Sequence, residues 1–295
     1  MVLASLALTK PTATGIDLRA DQLLVQRGLA VSRAQAQRLI ASGLRWRAGV
    51  GGVAGGVGAW RSVGKNGDEI PPDAELDLQD ASEAKYVSRG GLKLEGALLK
   101  TGITVAGKDC LDVGQSTGGF TDCLLQQGAR FVLGVDVGLA QLHPRLREDP
   151  RVLAMEHVNA RELTLETLQA HYQRRAELRV EADADTETDA VNDPLAFDLI
   201  VGDLSFISQT LVLPAIVPLL KQGGDLLMLV KPQFELQPGQ VGKGGIVKDA
   251  ALYPLIEKRI RDCCKKLGLA PQTWFDSPIE GGDGNREFFM HSKLK

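Results

Sequence analysis

Cysteine is scarce in this chain: four in 295 residues, at Cys110, Cys123, Cys263 and Cys264, with no CxxC pair and no histidine at metal-ligand spacing from them. That argues against structural zinc and against a disulfide framework, and it predicts buried free thiols. Long hydrophobic runs are also missing. The most apolar stretch, Leu211 to Leu220, is broken by Pro214 and Pro218, and nothing approaches the ~20 apolar residues that span a bilayer. The opening MVLASLALTKPTATG lacks the basic start and long apolar stretch of a secretory signal, so the expected location is the cytoplasm. A strong net charge is absent as well, the formal value being -3, but the charge is unevenly spread. Residues 17–50 carry Arg19, Arg27, Arg33, Arg38, Arg45 and Arg47 against Asp17 and Asp21. Residues 177–193 carry seven acids against Arg179. A local basic face, rather than the whole-chain charge, is what a nucleic-acid partner reads.

What is present falls into two textures. After a tail over residues 1–15, Leu23, Leu24 and Val25 lead to Gly28, a helix stop, and Ser32 stands as the N-cap of a second helix. That helix carries Ala36, Leu39 and Ile40 on one face and ends at Gly43. A glycine-dense stretch follows, then strand-like alternation in Glu75-Leu76-Asp77-Leu78. The spacing predicts a small domain over 16–80, a connector over 81–89 and a larger domain over 90–295. In the larger part, Lys93 to Leu99 reads as helix, and Cys110–Val113, Phe131–Val135, Phe197–Val201 and Asp225–Val230 read as short buried strands. Helical stretches between most of them indicate an α/β parallel sheet covered on both faces. The acidic residues 177–193 are too polar for a core and read as a mobile insertion; residues 237–248 read as a glycine-rich loop.

The strongest local signal is LDVGQSTGGF, residues 111–120. An apolar strand ends in Asp112, a glycine turn follows and a helix begins near Phe120. Such a turn lets backbone approach a nucleotide-like ligand at a helix N-terminus. Its D-x-G-x-x-x-G-G spacing is not the dinucleotide GxGxxG fingerprint. Asp136 follows about 20 residues later, where a Rossmann-like fold places an acid against ribose hydroxyls. Expected cofactor contacts are Gly114, Ser116, Gly118, Gly119 and Phe120 from the turn, Asp136, Asp112 for an amine, and Asn159 for the adenine edge. Asn159 reads equally well as a turn residue.

The glycine turn resembles motif I of S-adenosylmethionine methyltransferases of the FtsJ class. The segment DLRADQLLVQRGLAVSRAQAQRLIASG resembles the S-four domain, the RNA-binding domain of ribosomal protein S-four. Together with YVSRGGLKLEGAL, GDLSFIS, VKPQFE, GGIVKD and GNREFF, the pattern is similar to the TlyA, or haemolysin A, family over nearly the whole chain. The resemblance implies a Rossmann-like class I S-adenosylmethionine-dependent methyltransferase with a small α+β S-four-like RNA-binding domain. It also implies 2′-O-methylation of a cytidine in ribosomal RNA, ribosomal subunits as partners, and neither metal nor membrane. The family's Lys-Asp-Lys-Glu tetrad falls on Lys93, Asp203, Lys231 and Glu287. A ribose hydroxyl is a poor nucleophile, so a base is needed; desolvation or a second cation brings a lysine into a useful range. Lys231 is the expected base, Asp203 and Glu287 would orient the lysines, and Lys93 would position substrate. Taken singly, a lysine after a strand is more often a solvated end, Lys93 is more often helix surface, and Glu287 beside Arg286 reads also as a surface ion pair of little worth. Arg19, Arg27, Arg33 and Arg38 are the expected phosphate contacts. The chain departs from the S-four pattern in VGGVAGGVG and Arg45-Trp46-Arg47, which bears on the second half of that domain. Two rival functions are a cytolysin, which needs a membrane-active segment the sequence lacks, and a non-catalytic RNA-binding module on a methyltransferase fold. A base methyltransferase would carry an NPPY-like motif or catalytic cysteines, and Gly202-Asp203-Leu204-Ser205 matches neither.

Overall fold

The computed structural model describes residues 17–30, 32–48, 59–78, 85–171, 196–281 and 284–295. The glycine stretch at 49–58, the start of the connector and the acidic residues 177–193 lie outside the described residues. The chain divides between Arg89 and Gly90 into two compact units.

In the first unit, helices α1 (Ala20–Gln26) and α2 (Arg33–Ala41) pack Leu23, Leu24, Ala36, Leu39 and Ile40 into one core with Leu44 and Ile70. Gly28 reverses the chain after α1 at φ 69°, a conformation glycine adopts without strain. Ser32 caps α2, its hydroxyl accepting from Gln35 N–H at 3.2 Å. Strands β1 (Leu18–Arg19) and β4 (Glu69–Ile70) form one ladder. The stretch that departs from the S-four pattern supplies β2 (Leu44–Arg47), the centre of a second sheet between β3 (Arg61–Ser62) and β5 (Glu75–Leu78). Arg45 pairs across it with Asp77 and Arg47 with Glu75, and both guanidinium groups flank the Trp60 ring.

The second unit holds a sheet of β6 (Asp109–Val113), β7 (Phe131–Val135), β8 (Val152–Met155), β9 (Phe197–Asp203), β10 (Leu220–Val230), β11 (Leu269–Asp276) and β12 (Phe288–Leu294), ordered β11-β12-β10-β9-β6-β7-β8. From β6 the chain runs outward to β7 and β8, then returns to β9 on the other side. Open α/β sheets bind ligands at such a reversal, at the carboxyl ends of the strands. Strand β12 runs antiparallel to both neighbours. The four apolar runs expected as strands lie within β6, β7, β9 and β10. Strand β10 also begins earlier, at Leu220, with a register irregularity before Asp225. Two strands lacked a clear sequence signal. Strand β8 is only VLAM, and β11 contains Pro271, which an edge strand tolerates because it needs no partner on its outer side. The apolar stretch from Leu211 forms the end of a short helix, α6 (Gln209–Ile216), carrying Pro214, and then a single 3-10 turn. No helix among the described residues is long and apolar enough to cross a membrane. Cys110, Cys123 and Cys264 are buried free thiols and Cys263 is half-buried; burial pushes the Cys110 and Cys264 thiols up to about 12.

Candidate active site

The glycine turn joins β6 to α4 (Gly119–Gln126) and needs its glycines for two reasons. Gly114 and Gly118 sit at φ 85° and 93°, and a Cβ on Gly114 would lie 2.7 Å from the Asp203 carbonyl oxygen. On Gly118 it would lie 2.4 Å from Leu146 Cδ1, on the short helix α5 (Pro144–Arg147). Ser116 is held at φ 48° because its N–H donates to Asp136 Oδ2 at 2.8 Å; Asp136 Oδ1 accepts from Gly138 N–H at 2.7 Å. Asp136 therefore shapes the turn with both oxygens and keeps lone pairs for further donors.

Beneath the turn lies a relay that sequence reasoning missed. Buried Gln115 donates to Thr121 Oγ1 at 2.9 Å, and Thr121 donates to Asp112 Oδ2 at 2.7 Å. Asp112 Oδ1 is buried and has no hydrogen-bond partner. Burial, reinforced by the nearby Asp203 and Asp136 charges and opposed by Thr121, pushes the Asp112 carboxyl up to about 7. Two expected cofactor contacts are differently employed. The Phe120 side chain turns into the core, 3% exposed, and stacks on Phe289 with ring centroids 6.3 Å apart. The Asn159 Oδ1 accepts from Arg161 N–H at 3.1 Å as a turn cap.

The tetrad positions form two ion pairs. Asp203 closes β9, Lys231 follows β10, and Lys231 Nζ lies 2.5 Å from Asp203 Oδ1 while donating to Ser205 Oγ at 2.9 Å. Glu287 immediately precedes the antiparallel β12, and its Oε2 lies 2.5 Å from Nζ of Lys93, which helix α3 (Gly90–Thr101) supplies. Lys93 and Glu287 are both buried. Arg286 turns away to Asp276. Strands β9, β10 and β12 are adjacent, so three of the four residues stand on neighbouring strand ends at one edge of the sheet. Beside Ser205 lies Phe206, 90% exposed, at φ 64° and 5.0 Å by ring centroid from Phe234. An aromatic residue exposed and strained at a ligand-binding edge is a signal for function rather than packing. No periodicity in the sequence announces it.

The N-terminal arginines divide. Arg19 and Arg33 both pair with the buried Asp21, Arg33 at 2.8 Å, and the Arg19 hydrogen bond holds that carboxyl well below the usual range. Arg27 points inward, donating to the carbonyls of Pro72 and Ala74 at 2.5 and 2.6 Å; it braces the fold, unlike the phosphate contact expected of it. Half-buried Arg38 donates to the Ala34 carbonyl.

The strand order, the antiparallel β12 and the glycine turn together define a Rossmann-like S-adenosylmethionine-dependent methyltransferase fold. The family profile of FtsJ-like methyltransferases matches residues 86–294. The 16S/23S rRNA (cytidine-2′-O)-methyltransferase TlyA of Mycobacterium tuberculosis is 39% identical over 272 residues, 92% of this chain and 88% of that one. Hemolysin A of Brachyspira hyodysenteriae is 35% identical over 277 residues, 93% of this chain and 99% of that protein. A solved structure of a hemolysin candidate from Streptococcus thermophilus aligns with TM-score 0.63 and 34% identity over 95% of this chain and 89% of its own. The chain belongs to the FtsJ-like methyltransferases, in the branch that holds TlyA and hemolysin A.

The residues present fit S-adenosylmethionine. The orphaned Asp112 Oδ1 suits an ammonium group, and the Cβ-free turn at Gly114 and Gly118 admits a close backbone approach. The first turn of α4 presents backbone N–H groups that have no intrahelical partner.

Proposed function

We propose that this protein methylates the 2′-oxygen of a cytidine ribose in ribosomal RNA. The observation that carries this reading is the pair of lysine–carboxylate contacts on adjacent strand ends, Lys231–Asp203 and Lys93–Glu287, with the Phe206–Phe234 aromatic pair beside the first. S-adenosylmethionine, when bound, supplies an electrophilic methyl group on a sulfonium. Asp112 would hold its amine, and Gly114, Ser116, Gly118, Gly119 and Asp136 would line its approach. The chain's remaining task is to present a ribose hydroxyl in line and to take its proton.

In this reading Lys231 meets the hydroxyl. As the O–C bond forms and the methyl–sulfur bond breaks, the hydroxyl proton would pass to Lys231 while Lys231 hands a proton of its own to Asp203 across their contact. The pair thus serves as a single acceptor, and Ser205 keeps the lysine side chain in one orientation. Lys93 lends a buried positive potential for the oxygen as it gains negative character, and Glu287 keeps that charge satisfied. Phe206 and Phe234 offer an exposed π surface on which an unstacked base can lie. The first unit acts as an S-four-like reader of RNA phosphates through Arg19, Arg33 and Arg38.

The test is methyl transfer from labelled cofactor to isolated ribosomal subunits, comparing the intact protein with Lys231→Ala. Label recovered as 2′-O-methylcytidine, with kcat lowered about 100-fold or more in the variant, is the expected outcome. Label on a base, or an equally active variant, would sink the mechanism.

A further inference from the structure

Glu235 lies outside both lysine–carboxylate pairs, yet it is buried to 3% exposure at the end of α7 (Pro232–Glu235), directly after Lys231. A carboxylate is tolerated there only where donors surround it. Its Oε1 accepts from Gln209 N–H at 2.7 Å, and its Oε2 accepts from Ser208 Oγ at 2.6 Å and from Arg259 Nη2 at 2.9 Å. Arg259, on helix α8 (Leu252–Lys266), also donates to the Glu235 carbonyl. Gln209 completes a second brace by donating from Nε2 to the Leu229 carbonyl at 2.6 Å, within the strand that ends beside Lys231.

These bonds extend a pattern that runs along two facing segments. Ser205 meets Lys231, Phe206 meets Phe234, and Ser208 with Gln209 meets Glu235. The loop between Asp203 and Ser208 has neither helix nor strand to hold it. It carries Phe206 in the left-handed region at φ 64°, which a bulky residue keeps only when its surroundings over-determine it. Ser208 caps helix α6, its Oγ accepting from Thr210 N–H at 3.3 Å. Beyond that cap, Ser208 and Gln209 also donate to a carboxylate on the segment that carries Lys231.

We propose that Glu235 is a positioning residue for methyl transfer: it locks the Leu204–Ser208 loop against the Lys231 turn, fixing Ser205 on the lysine and Phe206 in its strained, exposed pose. The proposal rests on the reading of Lys231 and Asp203 given above. None of the bonds to Glu235 reaches the glycine turn, and of the loop only Leu204, at the end away from Glu235, lies beside Gly114, so cofactor binding should depend on this lock far less than methyl transfer does.

The experiment uses the full chain and compares Glu235→Ala, Glu235→Gln and Lys231→Ala. It reads amide hydrogen exchange over residues 204–209, cofactor Kd by titration, and kcat and KM on ribosomal subunits. Glu235→Ala should speed exchange in that segment and lower kcat about 10- to 100-fold, as misplacement near the reacting atoms does. Cofactor Kd should stay within about twofold, because only the loop is released. Glu235→Gln keeps one carbonyl acceptor, which serves either the Gln209 N–H or the Ser208 hydroxyl but not both, and should recover part of both losses. Where Glu235→Ala does not fold, Arg259→Ala removes a partly exposed donor and should show the same pattern at smaller amplitude. Unchanged exchange over 204–209, normal kcat despite faster exchange, or parallel loss of cofactor affinity and kcat would each overturn the proposal. Full activity in Lys231→Ala would instead overturn the role of the lysine, and the exchange data would still read the lock by itself.

Discussion

A single carboxyl group at the floor of the glycine turn links burial to pH. Asp112 has one oxygen satisfied by Thr121 and the other orphaned, and its carboxyl lies at about 7 because burial penalises the charged form. An ammonium group placed on the orphaned oxygen favours the ionised carboxylate, so the bound state holds a lower pKa than the empty one. The resulting affinity is present above about pH 7 and is lost as pH falls, by up to roughly tenfold per unit. Titration calorimetry between about pH 6 and 7.5 should show this slope, and Asp112→Asn should flatten it while weakening binding at the upper end. The same slope in both proteins would assign the pH dependence to another group. Aspartate at this position was visible in the sequence. Its orphaned oxygen was not, because which of the two oxygens finds a donor depends on how Thr121, held by Gln115, comes to lie against the carboxylate.

At the level of the element, the loop after β9 carries backbone strain at a bulky residue. Phe206 stands at φ 64° and is 90% exposed, so its conformation costs about 1–2 kcal/mol that glycine would not incur. Phe206→Gly removes that strain and also the contact with Phe234, worth about 0.5–1.5 kcal/mol. The two effects nearly cancel, and the melting temperature should stay within a few degrees of the parent while KM for the RNA rises severalfold. A variant with unchanged KM would show that the exposed ring does not touch substrate. Elements with strong apolar runs or a glycine-stop pattern, such as β6, β7, β9 and α2, were legible in the sequence. Strands β8 and β11 were not, the first for its shortness and the second because an edge position admits Pro271 and polar residues.

For the molecule as a whole, the arginines of the N-terminal unit divide between Arg27, which braces the fold, and Arg19, Arg33 and Arg38, proposed above to meet RNA phosphates. Arg27 donates to two backbone carbonyls; Arg27→Ala should lower the stability of that unit by about 1–3 kcal/mol, read by thermal unfolding. Arg38→Ala should leave unfolding nearly unchanged and reduce the salt dependence of RNA binding by about one phosphate contact. Salt-independent binding, or an unchanged slope in the Arg38 variant, would remove the phosphate role from this helix.

The sequence by itself determined the class of protein and where its glycine turn and strand ends lie. A cofactor turn is a contiguous segment whose glycines answer to local backbone geometry, and strand ends follow from where apolar runs stop. Those two signals place Asp112, Asp203 and Lys231 on one edge before any coordinates are seen. What only the tertiary structure decided is pairing. Lys93 meets Glu287 across 194 positions, Arg27 turns inward to a distant turn, and Glu235 gathers donors from two other helices. Each of these depends on which elements come to lie side by side, and burial then makes an unpartnered charge too costly to leave. Local pattern specifies where a side chain begins, and packing specifies what it touches.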